Sequence, residues 1–158
     1  MTAVTRILAV GAMQGNEIVW RKFVNAVALD VFKIDRAVVL GALGVGGDER
    51  ARWRALGDER LSDSEIPLTT VEVNHLLTLA DGRLVPVATE LDAIRAAVQR
   101  HRPALAICGG GPATAPHKFW IEDTLCVDPG SDAQRDGLSG YVVDLGERGV
   151  RVAQPVHA

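Results

Sequence analysis

Three apolar runs, RILAVGA (6–12), DRAVVLGAL (35–43) and ALAICGGG (104–111), show no polar alternation, and each ends in a glycine-containing turn. A strand with one wet face alternates, so runs of this kind belong to a sheet covered on both sides. A strand that ends in such a turn delivers the next side chains to a site at its tip. At the first tip, however, Ala12 and Met13 stand where acids or histidines would be expected.

The intervening segments have their own periods. Residues 17–29 place Ile18, Trp20, Phe23, Val24 and Val27 on one helical face, and Asn16 is positioned to cap that helix. Residues 48–61 predict a second helix with Trp53 and Leu56 inward, although Gly57 costs it about 1 kcal/mol relative to alanine. PLTTVEV (67–73) alternates like a half-exposed strand. LLTLADGRLVPV (76–87) predicts two strands joined at Asp81-Gly82, a pair that tolerates the positive φ of a tight turn. Thr89 and Asp92 have the spacing of a capping box for a third helix, with Leu91, Ile94, Ala97 and Val98 inward and Pro103 as its stop. TLCVDPGS (124–131), GYVVDL (140–145) and VRVAQ (150–154) predict strands, the last two joined across GERG. A chain that begins β-α-β and finishes nearly all β fits two packed sheets flanked by helices, an α/β sandwich, better than one doubly wound sheet.

Size and charge limit what such a sandwich can do. The 158 residues make a single domain, 1–158, with 47% apolar and 23% charged residues. The net charge is −3 and the 17 basic residues are scattered, so no nucleic-acid partner and no membrane-binding face are expected. The ILAV run is too short for a signal segment and nothing approaches a membrane span, which makes the cytoplasm the expected location. Cys108 and Cys126 each lie in an apolar strand, so buried reduced thiols are expected rather than a disulfide. No CxxC or HxxxH spacing supports zinc.

Three tips stand out together: GAMQGN (11–16), GALGVGG (41–47) and CGGGPATA (108–115), the last followed by TLCVDPGS. Their order and framing resemble the calcineurin-like metallophosphoesterases. In that family the tips read D-x-H-G-N, G-D-x-x-G, G-N-H-D/E and G-H-x-H, with a strand ending in N-P-G-S. The resemblance covers about residues 5 to 60 and 88 to 152, with a shorter, poorly matched middle, and implies a trimmed metallophosphoesterase-like sandwich. The departures fall on the ligands. Ala12 replaces the first Asp, Gln14 its His and Ala42 the bridging Asp, while Gly110 and Pro112 occupy the last two His positions. Asn74-His75 keeps part of the third motif, with Val73 for its Gly, and the family's further His motif has no counterpart. A two-metal phosphoesterase holds ions roughly 3.5–4 Å apart, where they generate hydroxide and clamp the phosphoryl oxygens. Alanine and glycine cannot coordinate, and the neutral amides of Gln14 and Asn74 are too weak to concentrate a divalent ion. No cofactor is therefore expected.

What remains is a small-residue space bounded by Ala12, Ala42, Gly109, Gly110 and Gly111, either open to a small organic ligand or filled by its neighbours. Gln14, Asn74, His75 and Asp128 are the polar candidates at its rim. His75 with Asp128 forms the expected acid/base pair. His117, read as lying on the loop after the glycine tip, can reach the same mouth. Trp120, with Phe119, belongs either to the pocket or to a subunit contact in a homo-oligomer. Trp20 and Trp53 are expected in the core, His101 at a helix end and His157 in a solvated tail. GALGVGGDER mimics a dinucleotide turn, but its G-x-x-G-x-G-G spacing on the second strand does not fit G-x-G-x-x-G. The expected function is thus metal-independent binding of a small organic molecule, with acid/base chemistry and a biosynthetic or tailoring role. The alternative is a non-catalytic scaffold or regulatory partner.

Overall fold

The computed structural model describes residues 4–41, 43–62, 66–109 and 115–157; Ala42, Gly110, Gly111 and Pro112 lie outside these. The first sheet has the order β10-β9-β1-β2-β3, from β10 (Gly149–His157), β9 (Ser139–Gly146), β1 (Thr5–Val10), β2 (Arg36–Leu40) and β3 (Leu68–Val71). The second has the order β4-β5-β6-β8-β7, from β4 (Asn74–Thr78), β5 (Leu84–Ala88), β6 (Leu105–Cys108), β8 (Thr124–Asp128) and β7 (His117–Ile121). β1, β2 and β3 are parallel, as are β5, β6 and β8, while antiparallel strands flank both sets.

The sheets pack face to face through Ile7, Ala9, Val38, Leu40, Ile107 and Val127. The opposite face of the first sheet, with Leu8, Val10 and Val39, is covered by α1 (Glu17–Ala28) and α2 (Gly47–Arg60) through Trp20, Phe23 and Trp53. α3 (Leu91–His101) covers Ala106 and Cys126 of the second sheet with Ile94 and Val98. β1, β2 and β6 are therefore buried on both faces, which is why their sequences do not alternate. Directly across from each other in β1 and β9, Arg6 and Asp144 form a two-pronged ion pair, Nε–Oδ1 2.6 Å and Nη2–Oδ2 3.0 Å. Hydrogen bonding and charge from Arg6 hold the Asp144 carboxyl below the usual range.

Local signals hold where they concern caps and turns. The Asn16 side chain accepts the Ile18 N–H at 3.0 Å and caps α1. Gly82 takes φ 89° in the β4–β5 hairpin, where Asp81 Oδ1 accepts the Arg83 N–H at 3.0 Å. The Arg83 guanidinium then reaches the Leu145 and Gly146 carbonyls, tying this hairpin to the other sheet. Gly57, unfavourable in a helix by itself, lies where α2 meets α1: a Cβ there would be 3.3 Å from Trp20 Cζ2.

Several expectations need correction. Ile18 is 50% exposed and Val19 takes the buried place, so the buried face of α1 runs through Val19, Trp20, Phe23, Val24 and Val27. Leu91, the first residue of α3, is 42% exposed, and Ile94 and Val98 are the buried residues of that helix. The Thr89–Asp92 capping box does not form. Glu90 is the N-cap, and the Thr89 hydroxyl donates to the Val73 carbonyl at 3.3 Å, binding it to the start of β4 instead. His117 is the first residue of a strand, β7, not part of a loop, and His157 ends β10 rather than lying in a tail. No helix among the described residues is long and apolar enough to cross a membrane.

Cys108 and Cys126 are buried and unpaired. Burial pushes both thiols up to about 11, with the Asp128 charge adding to the effect at Cys108. They are expected to resist iodoacetamide at pH 8 in the native protein and to react once it is unfolded. Rapid native labelling at either position would place it outside the core. The folded thiols keep protons that unfolded thiols lose, so stability is expected to decline as pH climbs from about 9 to about 11.

Candidate functional site

All six parallel strands point their C-terminal ends the same way, and the two sheets touch there. Gly11, just after β1, packs against the Gly130 carbonyl after β8 so closely that a Cβ would collide with that oxygen. The Ser131 hydroxyl donates to the Ala12 carbonyl at 2.9 Å and accepts from Gln14 Nε2 at 3.1 Å. Gln14 reaches it from a left-handed conformation, φ 52°. Met13 turns into the helix-covered core, and Ala12 is buried. The β1–α1 and β2–α2 loops are joined by a 2.7 Å hydrogen bond from the Gly15 N–H to the Leu43 carbonyl. Asn16, besides capping α1, donates to the Ala133 carbonyl at 2.7 Å and to Asp136 Oδ1 at 2.6 Å, beyond β8. Around Ala12 the tips are therefore closely packed.

Asp128, at the end of β8, places a carboxylate at this end of the second sheet. Its Oδ1 accepts the Gly130 N–H at 2.8 Å, and its Oδ2 lies 3.7 Å from His117 Nε2. His117 Nδ1 is 3.1 Å from the Ala115 carbonyl, which can only accept, so Nδ1 carries a proton and Nε2 faces Asp128. The two form an ion pair when the ring carries both protons. Gly109 makes room for the carboxylate, since a Cβ there would be 2.7 Å from Asp128 Oδ1.

His75 is not brought to Asp128. It is exposed on edge strand β4 opposite Val87, three strand positions from β8, roughly 14 Å at ordinary strand spacing. With Asn74 and His101 it borders a separate cleft of about 150 Å³ against α3. Trp120 is 66% exposed within β7, three residues from the tip. A larger cavity, about 340 Å³, opens beside the tips and is lined by Ser131, Asp132, Gln134, Arg135, Ser139 and His157. Of its lining, the sequence marked Ala115 and Ser131 only as the last residues of two strand tips and His157 only as a solvated residue. The signal that could have found the cavity is the density of polar residues in SDAQRDGLS between two apolar strands.

Solved structures share this architecture over nearly its whole length. TT1561 of Thermus thermophilus superposes with a TM-score of 0.65 at 14% identity, covering 98% of this chain and 99% of that one. A novel archaeal phosphodiesterase gives 0.62 at 9% identity, covering 98% of this chain and 100% of that one. The fold is that of the calcineurin-like metallophosphoesterases. Thermotoga maritima protein TM1076 is also similar, at 0.51 and 15% identity, covering 96% of this chain and 99% of that one. Identities this low establish the fold alone. No sequence-family model matches the chain, and no curated protein matches it by sequence.

A metallophosphoesterase fold implies paired metal ions at these tips, and the donor set does not fit them. Among the described residues no three His, Cys, Asp or Glu side chains cluster closely enough to hold an ion. Ala12 follows β1 and Ala88 ends β5, and Ala42, Gly110 and Pro112 have no side-chain donor atoms by their identity. That leaves Asp128 and His117 with the neutral Gln14 amide, too few anionic ligands for two divalent ions.

Proposed function

We propose that this chain is a metal-independent derivative of the metallophosphoesterase fold that binds a small organic molecule at its strand tips. His117 and Asp128 are its acid/base groups, and its role is a biosynthetic or tailoring one. The observation that supports this most is the approach of His117 Nε2 to Asp128 Oδ2 at 3.7 Å. An imidazole beside a carboxylate at a strand end has the donor and acceptor atoms to take and return a proton. The ring's other nitrogen is fixed on Ala115, so its orientation is set. His117 thereby takes the place that the sequence assigned to His75.

A second reading, a non-catalytic scaffold or regulatory partner, draws support from the close-packed glycine tips and from the exposure of Trp120. Phosphodiester hydrolysis, suggested by the archaeal neighbour's name, has the least support from the donor set.

Metal content and hydrolysis of a phosphodiester under added manganese separate these readings. The protein is expected to bind substoichiometric metal, to show no turnover, and to gain none with Ala12→Asp, because the other ligands are still missing. One or two tightly bound equivalents with turnover would sink the proposal. A ligand found by thermal-shift screening is expected to lose its effect with His117→Ala and to keep it with His75→Ala. The reverse pattern would assign the chemistry to the β4 cleft.

A further inference from the structure

The 340 Å³ cavity lies at the small end of the range for small-molecule sites, about 300–1,000 Å³. It is built from three separate pieces of chain: Ala115 and Pro116 before β7, the stretch from Ser131 through the 3-10 turn to Ser139 at the start of β9, and the end of β10. Asp132, Gln134, Arg135 and His157 line it, and none of their side chains makes a hydrogen bond or ion pair among the described residues. Asp132 and Arg135 flank one 3-10 turn, where residues three apart are stacked, yet they do not pair with each other. Both charges remain free to meet a ligand.

The rest of the wall is tied by hydrogen bonds and offers acceptors. Ser139 is buried and its hydroxyl donates to the Pro129 carbonyl at 2.8 Å, leaving its lone pairs to accept. The Gly137 N–H bonds the Asp132 carbonyl at 3.0 Å and closes the loop on itself. A Cβ at Gly137 would collide with Asp132 Oδ2, so glycine there sets where the carboxylate stands. The cavity thus presents donors (the Arg135 guanidinium, the Gln134 amide and the His157 ring) as well as acceptors (the Asp132 carboxylate and the Ser139 oxygen).

We infer that this cavity binds a small zwitterion of amino-acid size, its anionic group meeting Arg135 and its ammonium meeting Asp132 and Ser139. The inference goes beyond the proposed function, since neither His117 nor Asp128 lines this cavity; Ser131 joins it to the Gln14 cluster.

Three matched probes test it: L-leucine, 4-methylpentanoate, which lacks the ammonium, and 3-methylbutylamine, which lacks the carboxylate. Titration of the labelled protein followed by amide chemical shifts is expected to show saturable changes over residues 131–139 with leucine. Each half-probe should bind about tenfold more weakly or worse. Arg135→Gln and Asp132→Asn are each expected to weaken leucine about tenfold or more, and because neither side chain has a partner among the described residues, both variants should fold. Gly137→Ala, which keeps every charge but displaces Asp132, should also weaken it. Equal binding of a half-probe, unchanged affinity in the Arg135 and Asp132 variants, or no saturable shift with leucine would overturn the inference. If leucine fails while a screened ligand depends on His117, the proposed function survives without this inference. If leucine binds here while metal-dependent turnover is found, the proposed function fails and the cavity stands.

Discussion

Gly11→Ala is expected to lower folding stability by about 3 kcal/mol or more, read as a large drop in the denaturant midpoint or as failure to accumulate folded protein. Domains of this kind carry only about 5–15 kcal/mol in total. The cause is backbone against backbone: the new methyl would collide with the Gly130 carbonyl, and neither partner is a flexible side-chain end that can move aside. Relief would require separating the tips, which strains the Gly11 N–H···Ser139 carbonyl hydrogen bond at 3.2 Å and the Ser131–Ala12 bond. Gly47→Ala is the control. Nothing lies within 4 Å of its Cβ position and it sits in α2, so that change is expected to be neutral or to stabilise by about 0.5–1 kcal/mol. Equal midpoints for the two variants would show that the sheets do not meet at Gly11.

Trp20→Ala is expected to cost about 3–5 kcal/mol. Trp20 is fully buried, stacks on Trp53 with ring centroids 5.8 Å apart, and donates its indole N–H to the Trp53 carbonyl at 2.9 Å. Its loss opens a void between α1 and α2, where the Trp53 indole N–H already lacks a partner among the described residues. Trp120→Ala, on the exposed face of β7, is expected to change stability by less than about 0.5 kcal/mol. A comparable loss at both tryptophans would mean that α2 does not pack on α1 through this contact.

The contrast between the two tryptophans also marks how far the sequence could be read. Trp20 falls on a helical period and its burial follows from that. Trp120 lies in a segment whose strand character was missed, because the turn after β7, Glu122-Asp123, lacks the glycine or asparagine that advertises a hairpin. Glu122 takes the left-handed conformation itself, φ 52°. The same omission hid the site. With His117 read as loop, His75 was the better imidazole, and only the pairing of β7 with β8, His117 opposite Asp128, reverses that choice.

The residues alone determined the doubly covered strands, the Asn16 cap, the Asp81-Gly82 turn and the lack of donor atoms at Ala12, Ala42, Gly110 and Pro112. These follow from hydropathy, local backbone preference and atomic composition, which each short segment carries by itself. The tertiary structure alone decided that His117 meets Asp128, that His75 stands three strands away, and that Ser131, Arg135, Ser139 and His157 share a cavity. Those relations come from strand order and register between segments far apart in the chain, and the packing of the two sheets selects them.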